Sequence, residues 1–139
     1  MIIRAAEPRD VAAIAALAGE LGYPSTAQDI VRRLAALDER DDAVLVAEDG
    51  GACIGWILVS VIASLEHDPF AEIRGLVVAA AHRGGGAGAA LVRAAEEWGR
   101  GRGCAKVRVR SNVVRERAHR FYERLGYRVV KSQKVFDKT

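Results

Sequence analysis

Apolar residues recur with a helical period through the first part of the chain, and breakers set its limits. Residues 1–5 read as a short strand. Pro8-Arg9-Asp10 opens a helix with Asp10 as its N-cap. Val11, Ile14, Leu17, Ala18 and Leu21 then fall on one helical face. Gly22-Tyr23-Pro24 breaks that helix, and Ser25 or Thr26 caps a second one carrying Ile30, Leu34 and Leu37. Asp38-Glu39-Arg40-Asp41-Asp42 is a solvated turn.

From there the pattern becomes that of strands. Residues 43–48 and 54–64 are two of them, joined by the hairpin signal Asp49-Gly50-Gly51. Glu66-His67-Asp68-Pro69 turns the chain into a third strand over residues 70–78. A helix follows over residues 86–102, with Leu91, Ala94, Ala95 and Trp98 on its buried face. Residues 106–110 read as a strand, and Asn112 caps a helix that runs to Leu125. Gly126 ends it at the left-handed position that favours glycine. Two last strands are expected at residues 127–130 and 133–136. The order predicts an α/β (α+β) chain, a mixed sheet with helices on both faces.

The chemistry concentrates where the third strand meets the next helix. His82-Arg83-Gly84-Gly85-Gly86-Ala87-Gly88-Ala89 joins them. A helix N-terminus presents unpaired N–H groups and the positive end of its dipole, which makes it an anion site. Glycine lets a phosphate oxygen approach the backbone. A nucleoside triphosphate would require Lys and Ser or Thr after the last glycine, and Ala89-Ala90 stand there. A dinucleotide fits G-x-G-x-x-A formally, but five residues separate Val78 from Gly84 and no acid closes the next strand. Coenzyme A, whose pyrophosphate can be held by an Arg-x-x-Gly-x-Gly loop, fits at every fixed position, Arg83, Gly86 and Gly88.

Length and charge refine this. At 139 residues the chain, 1–139, is expected to be one domain. It has no run near the ~20 apolar residues of a membrane span and none of signal-peptide length, so a cytoplasmic protein without membrane attachment is expected. Cys53 and Cys104 stand apart with no His cluster, which favours plain thiols over a disulfide or metal site. Residues 1–70 carry five Arg and twelve acids, a net of −7, whereas residues 71–139 carry sixteen Arg and Lys and six acids, a net of +10. No arginine-rich helix with base-reading Asn or Gln and no aromatic stacking series accompanies the basic half, so nucleic acid is not expected. Coenzyme A explains the sign, and the acidic half would suit a cationic amine.

Three segments together resemble the GCN5-related N-acetyltransferases (GNAT). They are Ala71-Glu72-Ile73-Arg74-Gly75-Leu76-Val77-Val78, the loop from Arg83 to Gly88, and Ala118-His119-Arg120-Phe121-Tyr122-Glu123-Arg124-Leu125-Gly126-Tyr127. The resemblance spans nearly the whole chain. It implies a single mixed, mostly antiparallel sheet of about six to seven strands, about four helices on both faces, and a splayed central strand pair. It also implies acetyl-CoA as cosubstrate, no metal, and transfer of acetyl by direct attack to a primary amine of a small molecule or peptide. A non-catalytic acyl-CoA-binding module of the same fold is the alternative. A homodimer through an edge strand near the C-terminus is compatible with the family.

On that resemblance Glu72, eleven residues before Arg83, stands where a base takes the amine proton in histone-acetylating members. Alternation along a regular strand would put Glu72, Arg74 and Leu76 on one face. Glu66, His67 and Asp68 are reserve bases. The main-chain N–H of Val77 or Val78 is the oxyanion donor, and Leu76, Val77, Val78, Arg83, Gly84, Gly85, Gly86, Ala87, Gly88 and Ala89 line the cosubstrate. Tyr122 is the acid for the leaving thiolate, with small Ala118 one turn before it. Arg115 stands where the family often has Asn, so Arg115 is expected to meet a phosphate, with Asn112 the nearest Asn. Acceptor contacts are expected near Tyr23-Pro24 and Glu66-His67-Asp68, which carry no readable motif.

Overall fold

Five strands stand side by side in chain order in a computed structural model that describes every residue except Asn112 and Val114. They are β1 (Ile2–Ala5), β2 (Asp42–Asp49), β3 (Ala52–Ile62), β4 (Phe70–Val78) and β5 (Val107–Val109). β1 to β4 pair antiparallel, and β4 pairs parallel with β5. The helices are α1 (Val11–Leu21), α2 (Ala27–Ala35), α3 (Ala87–Gly101) and α4 (Glu116–Arg124). The chain divides into two compact units, Met1–Val109 and Arg110–Thr139. The sheet and α1 to α3 form the first, and α4 lies in the second.

Local chemistry sets the helix ends. Asp10 does not cap α1 through its side chain. Its carboxylate instead accepts the Glu7 N–H at 2.7 Å and both terminal nitrogens of Arg4 at 2.8 and 2.9 Å, so it organises the turn before the helix. Gly22, at φ 103°, closes α1 in the left-handed region. Thr26 and Asp29 form a reciprocal box at the start of α2, at 3.0 and 2.9 Å. Leu37, expected on α2, lies beyond its end.

The two sheet faces are covered by different helices. Ile14, Ala15 and Ile30 of α1 and α2 pack with Val46 of β2 and with Trp56 of β3. On the opposite face α3 comes close to the backbone: a Cβ on Gly99 would stand 2.7 Å from the Ala71 Cβ, and one on Gly55 would stand 3.3 Å from Leu91. Ile57, Val59, Ala71, Ile73, Leu91, Val92 and Ala95 fill this second core. The buried stripe of α3 is therefore rotated from the expected one. Gly99 is buried where Trp98 was expected, and Trp98 is half-buried beneath the Arg102 guanidinium at 4.3 Å.

The expected six to seven strands are not found. Residues 127–130 and 133–136 form no strand, which leaves five. Val129, Val130, Val135 and Phe136 are 67–87 % exposed there. β-Branched composition raises strand propensity only where a covered face and a ladder partner exist, and among the described residues this segment has neither.

Candidate active site

β4 carries the geometry from which the site is built. Its pairing with β3 runs Gly55–Val78, Trp56–Val77, Ile57–Leu76 and Leu58–Gly75, then slips by one residue to Val59–Ile73 and Ser60–Glu72. Arg74 is the extra residue of a β-bulge, which reverses the alternation beyond it. Glu72 and Arg74 consequently share a face with Gly75 and Val77, the face that Trp56 occupies. Leu76 and Val78 turn to the α3 face, where Val78 meets the space beside Gly55 and Leu91. The expected common face of Glu72, Arg74 and Leu76 is corrected by this bulge. Gly75 is required at it, because a Cβ there would lie 2.9 Å from the Trp56 ring.

The bulge also decides which backbone groups are available. Ala79 N–H donates to the Ile54 carbonyl at 2.7 Å, so the antiparallel ladder directs Val77 N–H toward β3 and those of Leu76 and Val78 to the other edge. β5 pairs only with Ala71, Glu72 and Ile73. Past Ile73 the β4 edge has no strand beside it among the described residues. Of the two expected oxyanion donors, Val78 lies on this open edge, and Val77 is engaged by β3.

The edge leads into the glycine loop. Ala80–His82 make one tight turn, and Gly84 and Gly86 hold φ +84° and +90°. Gly86 is the N-cap of α3 and brings no side chain to cap it. No acid lies in the first turn of α3, so the N–H groups of Ala87, Gly88 and Ala89 point out of the helix end with its positive dipole intact. A Cβ on Gly84 or Gly86 would meet nothing within 4 Å, and Arg83 is exposed beside them. This uncapped end beside an unpaired strand edge fits a long ligand with an anionic middle and amide groups along its arm. Glu20 of α1, not foreseen from the sequence, accepts the Ala80 N–H at 3.1 Å and ties the loop's entry to the other sheet face.

Glu72 is half-buried in the centre of a polar rung that crosses four strands. Asp42 pairs with Ser60, Ser60 with Glu72, and Glu72 with Arg108. Arg74 donates to the Ser60 hydroxyl at 3.1 Å and lies 3.8 Å from Asp42. Of the reserve bases, His67 stacks on Phe70 with ring centres 4.8 Å apart, and its Nδ1 lies 2.9 Å from the Asp68 carbonyl. Ser60, Lys106 and Arg108 escaped the sequence reading, although Lys106 and Arg108 alternate with Val107 and Val109 as a one-sided strand should.

In the second unit, Ala118 and Tyr122 lie one turn apart on α4, and both are half-buried. The Tyr122 ring meets those of Phe121 and Tyr127 edge-on at 5.1 and 5.8 Å. Burial pushes the Tyr122 phenol up to about 12, against the opposing field of Arg115. Arg115 is exposed just before α4, and Asn112 lies outside the described residues. Cys53 and Cys104 are both free thiols, and burial pushes the Cys53 thiol up, away from reactivity. No group of three or more His, Cys, Asp or Glu among the described residues could hold a metal, and none of their helices is long and apolar enough to cross a membrane.

A sequence profile described as the acetyltransferase (GNAT) family matches residues 10–127. No curated protein sequence matches. Among solved structures, an apo aminoglycoside 6'-N-acetyltransferase, AAC(6')-IG, from Acinetobacter haemolyticus superposes with TM-score 0.86 at 21% identity, over 100% of this chain and 99% of its own. A protein described as a transcriptional regulator from Bacillus halodurans C-125 gives TM-score 0.86 at 25% identity over 99% of both chains. The aminoglycoside N-acetyltransferase AAC(6')-Iy, in complex with CoA, gives TM-score 0.81 at 20% identity over 99% of both.

Proposed function

Because this chain belongs to the acetyltransferase (GNAT) family, we propose that it transfers the acetyl group of acetyl-CoA to a primary amine of a small molecule or peptide. The observation that carries this is the junction of β4 with α3, an unpaired strand edge running into an uncapped, glycine-lined helix end. Acetyl-CoA has the matching order of parts, a thioester, a pantetheine arm with two amides, and a pyrophosphate. Arg83, Gly84, Gly85, Gly86, Ala87, Gly88 and Ala89 would receive the pyrophosphate, and the open β4 edge the arm.

In the transfer the amine nitrogen bonds to the acetyl carbon and the carbon–sulfur bond breaks. An ammonium acceptor first gives one proton to the base and from there to solvent; a second leaves the nitrogen as the amide forms and one reaches the sulfur, giving amide, free thiol and one released proton. Glu72 takes the proton, directly or through water. A main-chain N–H of the open β4 edge faces the oxygen on which charge develops, Val78 being the candidate. Tyr122 supplies the proton for sulfur, a role that rests on the motif of α4. A phenol held up to about 12 stays protonated at neutral pH and can donate.

The second reading, a module that holds acyl-CoA without transferring it, draws support from the regulator at 25% identity. Thiol release from acetyl-CoA with a broad amine panel, read beside calorimetry of coenzyme A, separates the two. Binding with amine-dependent thiol release is expected. Binding without release from any amine would leave only the module, and absence of binding would remove both.

A further inference from the structure

The β4–β5 surface around Glu72 is cationic at short range. Phe70, Glu72, Lys106 and Arg108 lie on the same side, since Glu72 and Arg108 are register partners, Phe70 lies two residues before Glu72 on β4, and Lys106, just before β5, reaches the Phe70 ring. Phe70 is 1% exposed. The Lys106 ammonium sits 4.6 Å and the Arg108 guanidinium 4.5 Å from the centre of its ring, so both cations are held at one place. Arg74, the other cation on this side, already has Asp42 at 3.8 Å. Lys106 and Arg108 have no carboxylate partner among the described residues.

Two cations pinned on one ring and held in no ion pair among the described residues are suited to receive an anion. Arg offers a planar fork suited to a carboxylate, and Lys adds a point charge. The proposed base lies on the adjacent position of β4, about 5 Å away across the ladder by strand spacing. We infer that the acceptor is an amine that also carries a carboxylate, its nitrogen directed to Glu72 and its carboxylate held by Arg108 and Lys106. This rests on the acetyl-transfer reading above and names the acceptor class. It departs from the expectation of a cationic acceptor drawn from the acidic half of the chain, because charges at contact distance outweigh remote ones screened by salt. The same two cations would disfavour a polyamine.

Three acceptors of equal length separate the cases: hexylamine, 6-aminohexanoate and 1,6-diaminohexane, whose tails are neutral, anionic and cationic. The expected kcat/KM for the carboxylated amine exceeds that of hexylamine by about tenfold or more, as for a charge-assisted hydrogen bond, and the diamine is poorest. The double variant Lys106→Gln, Arg108→Gln should bring the first ratio near unity. Lys106→Arg should keep it, which guards against loss through misfolding, and raised salt should shrink it in the wild type. Equal rates for the three amines, or a preference for the diamine, would overturn the anionic acceptor while leaving acetyl transfer intact. If coenzyme A binds but none of the three amines, nor any amine of the broader panel, releases thiol, the acetyl-transfer reading and this inference fall together.

Discussion

Asp10 receives both terminal nitrogens of Arg4, at 2.8 and 2.9 Å, and is 4% exposed. Glu48 of β2 also accepts from Arg4, at 3.0 and 3.1 Å, so one guanidinium fastens β1, β2 and the turn into α1. Those hydrogen bonds from Arg4 hold the Asp10 carboxyl below its ordinary value, against the opposing effect of burial. A depressed folded-state value contributes stability above the unfolded value of about 3.9, and that stability is lost as pH falls through the folded one. Asp10→Asn should therefore lower the melting temperature at neutral pH, and the gap to wild type should close below about pH 4. Thermal melts across pH check this. A gap that persists undiminished at the acid end would assign the effect to packing.

A Cβ added at Gly99 of α3 would stand 2.7 Å from the Ala71 Cβ of β4. Two effects oppose each other at Gly99→Ala. Helix propensity favours alanine by about 1 kcal/mol, whereas overpacking costs about 1–3 kcal/mol. The contact is with a core side chain anchored on β4, so the clash should win and the variant should be less stable. Ala71→Gly in that background should recover part of the loss, as denaturant titrations can measure.

At the glycine loop, strain and charge can be told apart. Gly86→Asp places a carboxylate at the helix end and a side chain at φ +90°. Gly86→Asn keeps the strain, which Asn tolerates better than most residues, and omits the charge. Coenzyme A affinity by calorimetry should drop by about tenfold or more for Asp, in line with a dipole and charge effect near 1–2 kcal/mol, and by much less for Asn. Equal, unchanged affinities would place the anion elsewhere. Arg83→Ala, on an exposed side chain, should matter mainly at low salt.

The parts of the fold that follow local rules were legible in the sequence. The Thr26 cap, the stop at Gly22, the Asp49-Gly50-Gly51 hairpin and the uncapped start of α3 all depend on residues close in the chain. The bulge at Arg74 was not legible, because it depends on how β3 meets β4. With it went the face of Leu76 and the choice between Val77 and Val78 as donor. The close approach of Gly99 and the rung Asp42–Ser60–Glu72–Arg108 likewise unite residues far apart in sequence. The valines of residues 127–136 look like strand by composition, yet composition says nothing of a partner.

The α4 motif points to Tyr122, and the burial of its phenol adds a pH expectation. With the phenol held up to about 12, its proton should remain in place through the ordinary assay range. No alkaline fall in kcat should therefore appear up to about pH 10, the ordinary phenol value. Tyr122→Phe should reduce kcat and kcat/KM alike, by at least about tenfold, since general acid catalysis contributes roughly 10²–10⁴-fold. Unchanged turnover with an efficient acceptor would remove Tyr122 from the mechanism.

Glu72 decides whether the protein supplies the base. Glu72→Gln keeps the shape and the place in the rung but cannot accept the proton. If Glu72 is the base, turnover should fall by roughly 10²-fold or more. The residual rate should then climb with pH toward the acceptor's own value near ~10, as more amine arrives neutral. The wild-type rate should depend on pH less steeply over the same range, because the protein itself takes the proton. Coenzyme A affinity should stay within about twofold, because Glu72 is on the face opposite α3, and a change that small lies within the uncertainty of a single interaction. Arg108 gives the control. Its loss should weaken the binding of a carboxylated amine and raise KM, whereas loss of Glu72 should act on kcat. A Glu72→Gln enzyme with wild-type rate and pH profile would make Glu72 a structural member of the rung and hand deprotonation to water.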